Sequence, residues 1–91
     1  MSKPLFEIHI TCYTSQSLLA SEVATQCHWK TSEIMRDPIL GNDTYYYLTK
    51  YATTKAIAMA YIEEASIELL ARGVRIVREK IEHIVHDIRY V

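Results

Sequence analysis

His9-Ile10-Thr11 is the tripeptide in this chain with the most evident chemical potential. Residues two apart in an extended segment share a face, so the His9 imidazole and the Thr11 hydroxyl stand side by side. One can move a proton and the other can hold a phosphate or carbonyl oxygen. The remaining candidates are weaker. His83 and His86 are three apart, which places them together on a helix but on opposite faces of a strand. No Cys or carboxylate ligand stands at a fixed metal-binding spacing from them, so no metal is assigned. Cys12 and Cys27 lack CxxC spacing and read as free buried thiols. A Gly-rich phosphate loop, a Ser-His-Asp order and a catalytic carboxylate pair are all missing, which argues against an ordinary hydrolase.

The HxT pattern of His9 and Thr11, set in an apolar strand, resembles the motif of the 2H phosphoesterase superfamily. The resemblance covers three residues. It implies a phosphate ligand with His9 as acid or base and Thr11 on the phosphate oxygens. Those enzymes use two such motifs, and His83-Ile84-Val85 lacks the hydroxyl, so the second would have to come from another subunit. This is the alternative reading of function.

The elements that must position these residues follow from periodicity. Leu5 to Tyr13 alternates, with Phe6, Ile8, Ile10 and Cys12 against Glu7, His9, Thr11 and Tyr13, which predicts a half-buried strand. Thr14, Ser15 and Ser17 offer oxygens to a starting helix. Leu19, Ala20, Val23, Ala24 and Cys27 form its apolar stripe, and it is expected to end near His28. Trp29 to Arg36 reads as a second strand. Asp37-Pro38 and Gly41-Asn42-Asp43 punctuate the chain as a hairpin connection. Thr44 to Tyr51, TYYYLTKY, is the most β-prone stretch. Thr53 or Thr54 then caps a long helix that stops at Gly73, with an expected apolar face through Met59, Ile62, Ala65, Leu69 and Leu70. From Val74 to Val91 two patterns compete. A three-and-four spacing of Val and Ile fits a helix facing a partner, whereas β-branched density and alternation of Arg78, Lys80 and Glu82 fit a strand. The strand is preferred.

The resulting βαββαβ order predicts an α+β fold, a ferredoxin-like sandwich with a four-stranded antiparallel sheet and two helices on one face. Strands one and three are expected in the centre, within one domain over residues 1–91 that has a short tail at 1–4. The opposite sheet face then carries His9, Thr11, Tyr13, Tyr45, Tyr47, Tyr51 and Lys80 as candidate ligand- or partner-binding residues. Tyrosine suits this role because it joins a broad apolar body to a hydrogen-bonding tip. The same element order is that of the RRM, whose sheet stacks bases on aromatics. The basic-Gly-aromatic signature of that family is missing here.

Composition bounds the rest. The 91 residues carry 10 Lys plus Arg and 11 Asp plus Glu, a formal charge of -1, and are 49% hydrophobic. That balance excludes disorder and gives no footing for a nucleic-acid backbone binder. No apolar run reaches the roughly 18 residues of a membrane span, and no secretory signal opens the chain. The expectation is a cytoplasmic, non-enzymatic binding or regulatory protein without a cofactor. It would act as a homo-oligomer through the open sheet face on a protein partner or small molecule.

Overall fold

The computed structural model describes residues 5–34 and 44–84. Alternation from Phe6 to Tyr13 becomes β1 (Phe6–Tyr13), which runs through a 3₁₀ turn (Thr14–Gln16) into α1 (Ser17–Cys27). After α1 come β2 (Lys30–Ile34), β3 (Tyr45–Ala52), α2 (Lys55–Ala71) and β4 (Ile76–His83). The four strands form one antiparallel sheet in the order β2-β3-β1-β4, with β1 and β3 in the centre. The Asp37-Pro38 and Gly41-Asn42-Asp43 connection lies outside the described residues.

Both helices send side chains into one core cluster on one side of the sheet. Ile8, Ile10 and Cys12 of β1 and Leu48 and Ala52 of β3 meet Ala20, Val23, Ala24 and Cys27 of α1 and Ala58, Ala65 and Leu69 of α2. Small residues dominate the helical side, which lets the backbones approach the sheet closely. The expected stripe on α2 holds at Ile62, Ala65 and Leu69 and is corrected at Met59 and Leu70. Met59 and Leu70 are 56% and 61% exposed, and the inward row is Ala58, Ala65 and Leu69, with Ile62 packed against it. Alanine hides an inward face from a hydrophobicity count, because larger apolar side chains on neighbouring positions outweigh it.

Helix ends show how local chemistry sets the layout. The expected capping of α1 by Thr14, Ser15 or Ser17 does not occur, since its N-cap is Gln16 and no side chain closes it. Gln16 instead reaches across the fold, donating from Nε2 to the Gly73 carbonyl at 2.8 Å and accepting at Oε1 from the Arg75 amide at 2.8 Å. For α2 the cap is Thr54, whose Oγ1 accepts from the Ile57 amide at 3.1 Å. Its C-terminus closes with the Gly73 amide on Leu70 O at 3.0 Å and the Val74 amide on Leu69 O at 2.9 Å. This paired closure requires a left-handed residue, and Gly73 supplies it at φ 78°.

With the chain turned by Gly73, residues 76–83 form a strand and not the partner-facing helix that was the competing pattern. Ile8 pairs with Ile81, His9 with Lys80 and Glu7 with Glu82. A register shift between Thr11 and Cys12 marks an irregularity at the start of β4. His86 and Val91 lie outside the described residues. No described helix is long and apolar enough to cross a membrane.

Candidate functional site

Antiparallel pairing stacks the outward residues of β1 into rows with their neighbours. One row is Lys30, Thr49, His9 and Lys80; the next is Ser32, Tyr47, Thr11 and Arg78; on the other side Tyr51, Glu7 and Glu82 line up. His9 sits at the middle of this face because it is the fourth residue of a central strand.

Every polar atom of the His9 ring has a partner. Its Nδ1 lies 3.0 Å from the Thr49 hydroxyl, and its Nε2 lies 3.3 Å from Glu7 Oε1 and 3.3 Å from Glu82 Oε1. Glu7 is held in turn by the Tyr51 hydroxyl, which donates to Oε2 at 2.8 Å. That bond to a carboxylate, together with the carboxylate charge, pushes the Tyr51 phenol above its usual range. Lys80 Nζ stands 3.6 Å from Glu82 Oε1. A histidine, two carboxylates and a lysine therefore form one chain of contacts across β1 and β4, held from β3 by Thr49 and Tyr51.

The structure places the other candidates on the same face with two corrections. Thr11 is only 3% exposed, so its hydroxyl is not offered to solvent beside His9 as the HxT pattern implies. The physical reason is its position: a short side chain in a central strand, flanked in register by the longer Tyr47 and Arg78. Tyr45 is 4% exposed, with its ring 5.6 Å from that of Tyr13, so it is a packing residue and not an open contact. Tyr51 remains exposed and Tyr47 half-buried. A phosphate approaching His9 Nε2 would meet the carboxyl groups of Glu7 and Glu82 beside it.

Sequence reasoning put Glu7 outward but gave neither Glu7, Thr49 nor Glu82 a role. Glu7 and His9 share a strand face at a spacing of two, a signal that was present. Glu82 carried none, because only the β1–β4 register brings it across. The remaining histidines stand apart: His83 lies with its ring 5.0 Å from Phe6, whose parity is that of the core, and His28 is exposed after α1.

On the helical side a shallow groove between α2 and β4 is lined by Met59, Ile62, Glu79 and Ile81. Glu79 there accepts from the Ser66 hydroxyl at 2.6 Å. Both cysteines are free and buried, and burial pushes the Cys12 thiol up to about 11. No protein-family model matches the chain, and no curated protein or solved structure matches it either.

Proposed function

We propose that this chain is a small non-enzymatic binding protein with the ferredoxin-like arrangement, pairing with a second copy of itself through the sheet face opposite its helices. The order β2-β3-β1-β4 with two central strands, and a core cluster fed by both helices, support that arrangement. One observation carries the functional reading. Among the described residues, the face of β1, β3 and β4 turned from the helices bears Tyr13, Tyr47 and Tyr51 beside carboxylates and cations in adjacent rows.

Such a face is complementary to itself. A two-fold axis would set Glu7 and Glu82 of one copy against Lys80, Arg78 or Lys30 of the other while the tyrosines lose water. The ligand or partner protein would be captured at the same surface, with His9 at its centre. A reducing cytoplasmic setting suits two unpaired buried thiols.

Sedimentation velocity across a wide concentration range tests the pairing. A dimer that the double substitution Tyr47→Ala with His9→Ala converts to a monomer is the expected result. A chain that stays monomeric at every concentration would overturn it. Hydrolysis of cyclic phosphodiesters, abolished by His9→Ala, would replace this reading with the phosphoesterase one.

A further inference from the structure

The contacts of His9 are unusual in that one ring nitrogen faces two carboxylates at the same distance. His9 Nε2 lies 3.3 Å from an oxygen of Glu7 and 3.3 Å from an oxygen of Glu82, and the three atoms fall within 4.8 Å of one another. A neutral imidazole has a single proton to place between those two oxygens. One nitrogen and two carboxylate oxygens converging from three side chains are a set that a divalent cation can share.

We propose that Glu7, His9 and Glu82 form a binding site for one divalent transition-metal ion of the zinc type.

Three features of the chain carry this assignment. The first is spacing: bonds of about 2.0–2.2 Å to a tetrahedral zinc ion set its ligand atoms about 3.3–3.6 Å apart. Both His9-to-carboxylate distances match that edge, and the two carboxylate oxygens lie within 4.8 Å of each other. The second is ligand type. One imidazole and two carboxylates form a mixed nitrogen and oxygen set, which favours zinc and its neighbours over magnesium or calcium, whose sites use oxygen alone. Three protein ligands leave the fourth position open to water or a ligand.

The third is the support behind the ligands. Thr49 Oγ1 lies 3.0 Å from His9 Nδ1, so it can accept the Nδ1 proton and leave Nε2 as a lone pair toward the metal. Tyr51 donates to the Glu7 oxygen that does not face His9, fixing that carboxylate from behind. Neither group would itself touch the ion. The strands supply the rest of the rigidity, since Glu7 and His9 are two apart on β1 and Glu82 pairs with Glu7 across the ladder.

Lys80 opposes the ion. Its ammonium stands 3.6 Å from the Glu82 oxygen that would bind metal, so it acts as an internal counter-cation and has to withdraw when the ion enters. Half-exposed on an edge strand, it is free to do so. This contact gives the site a signature that general destabilisation cannot imitate, because removing Lys80 should strengthen metal binding.

The site is complete within one chain, so a monomer is sufficient to hold the ion. The test is titration of the chelator-treated chain with Zn²⁺ by calorimetry and with Co²⁺ by visible absorption, at concentrations where sedimentation shows one oligomeric state. One ion per chain with the absorption of a tetrahedral cobalt centre is expected. His9→Ala and Glu82→Gln should each weaken binding at least about tenfold, and Tyr51→Phe by about tenfold. Lys80→Ala should tighten it several-fold. Circular dichroism of each variant separates loss of the site from loss of the fold, and Glu82→Gln and Lys80→Ala on an edge strand keep the test alive if His9→Ala unfolds. No bound ion, zinc binding that survives both His9→Ala and Glu82→Gln, or a preference for Mg²⁺ over Zn²⁺ would overturn the assignment.

Discussion

Lys50 Nζ donates a 2.6 Å hydrogen bond to the carbonyl oxygen of Cys27, the last residue of α1. The same ammonium stands 4.1 Å from the centre of the Tyr61 ring and 5.9 Å from that of Trp29. Lys50 lies on the helix side of central strand β3, opposite Ile8, so its stem crosses apolar ground to reach this position. A cation at a helix C-terminus meets the negative end of the helix dipole, and the aromatic ring adds attraction from its face. One side chain thereby ties α1, β3 and α2 together.

Lys50→Ala should therefore lower stability by about 2–3 kcal/mol, since it removes a charged hydrogen bond, a cation–aromatic contact and stem packing together. Urea unfolding of Lys50→Ala, Tyr61→Leu and the double variant measures the coupling. A coupling of about 0.5–1 kcal/mol between Lys50 and Tyr61 is expected. Additive losses would remove the ring contact from the account.

Two left-handed residues predict opposite responses. Gly73 has φ 78° and His28 has φ 65°, each just after a helix. An added Cβ at Gly73 meets no atom within 4 Å, so the effect of Gly73→Ala is backbone strain alone, about 1–2 kcal/mol of lost stability. His28 already bears that strain, so His28→Gly should raise stability by up to about 1 kcal/mol. Thermal unfolding of the two variants reads both signs, and a drop for His28→Gly would mean that its imidazole does more than sit exposed.

Cys12 gives the alkaline limit of stability a defined cause. Burial pushes its thiol from 9.0 up to about 11, so the folded chain retains a proton that the unfolded chain has released. The contribution is fully present below pH 9 and is lost as pH rises through 11, a change of about 2–3 kcal/mol. Cys27 is pushed in the same direction by burial and then by Glu64 and Glu68, so the two thiols act together. Cys12→Ala should flatten the fall in stability between pH 9 and 11 relative to the parent chain. An unchanged slope would assign that fall to other groups.

How much of this was legible in the sequence differs by element. Alternation placed Ile8, Ile10 and Cys12 inward and Glu7, His9 and Tyr13 outward on β1, because a strand's period of two is a local property. The extents of β3 and α2, the Thr54 cap and the Gly73 stop were equally local, since each rests on residue chemistry within a few positions. On α2 the inward places of Ile62, Ala65 and Leu69 were legible, whereas Ala58 was missed in favour of its neighbour Met59 because alanine packs by being small, a property that hydrophobicity alone does not rank.

The site divides along the same line. His9 announced itself by type on an outward strand face and the tyrosines by density, while Glu7, two positions from His9, was placed outward without a role. Whether Thr11 was open to a ligand or covered depended on the side chains set beside it by strand pairing, and the structure covers it. Glu82 reaches His9 from 73 positions away in the chain, Thr49 from 40, and no local pattern encodes either meeting. The sequence by itself determined the element types, the two-sided character of the central strands and the presence of a histidine on an outward face. Only the tertiary structure decided which groups surround that histidine, because strand register is a long-range pairing chosen by burial of Ile8, Ile10 and Leu48 in a common core.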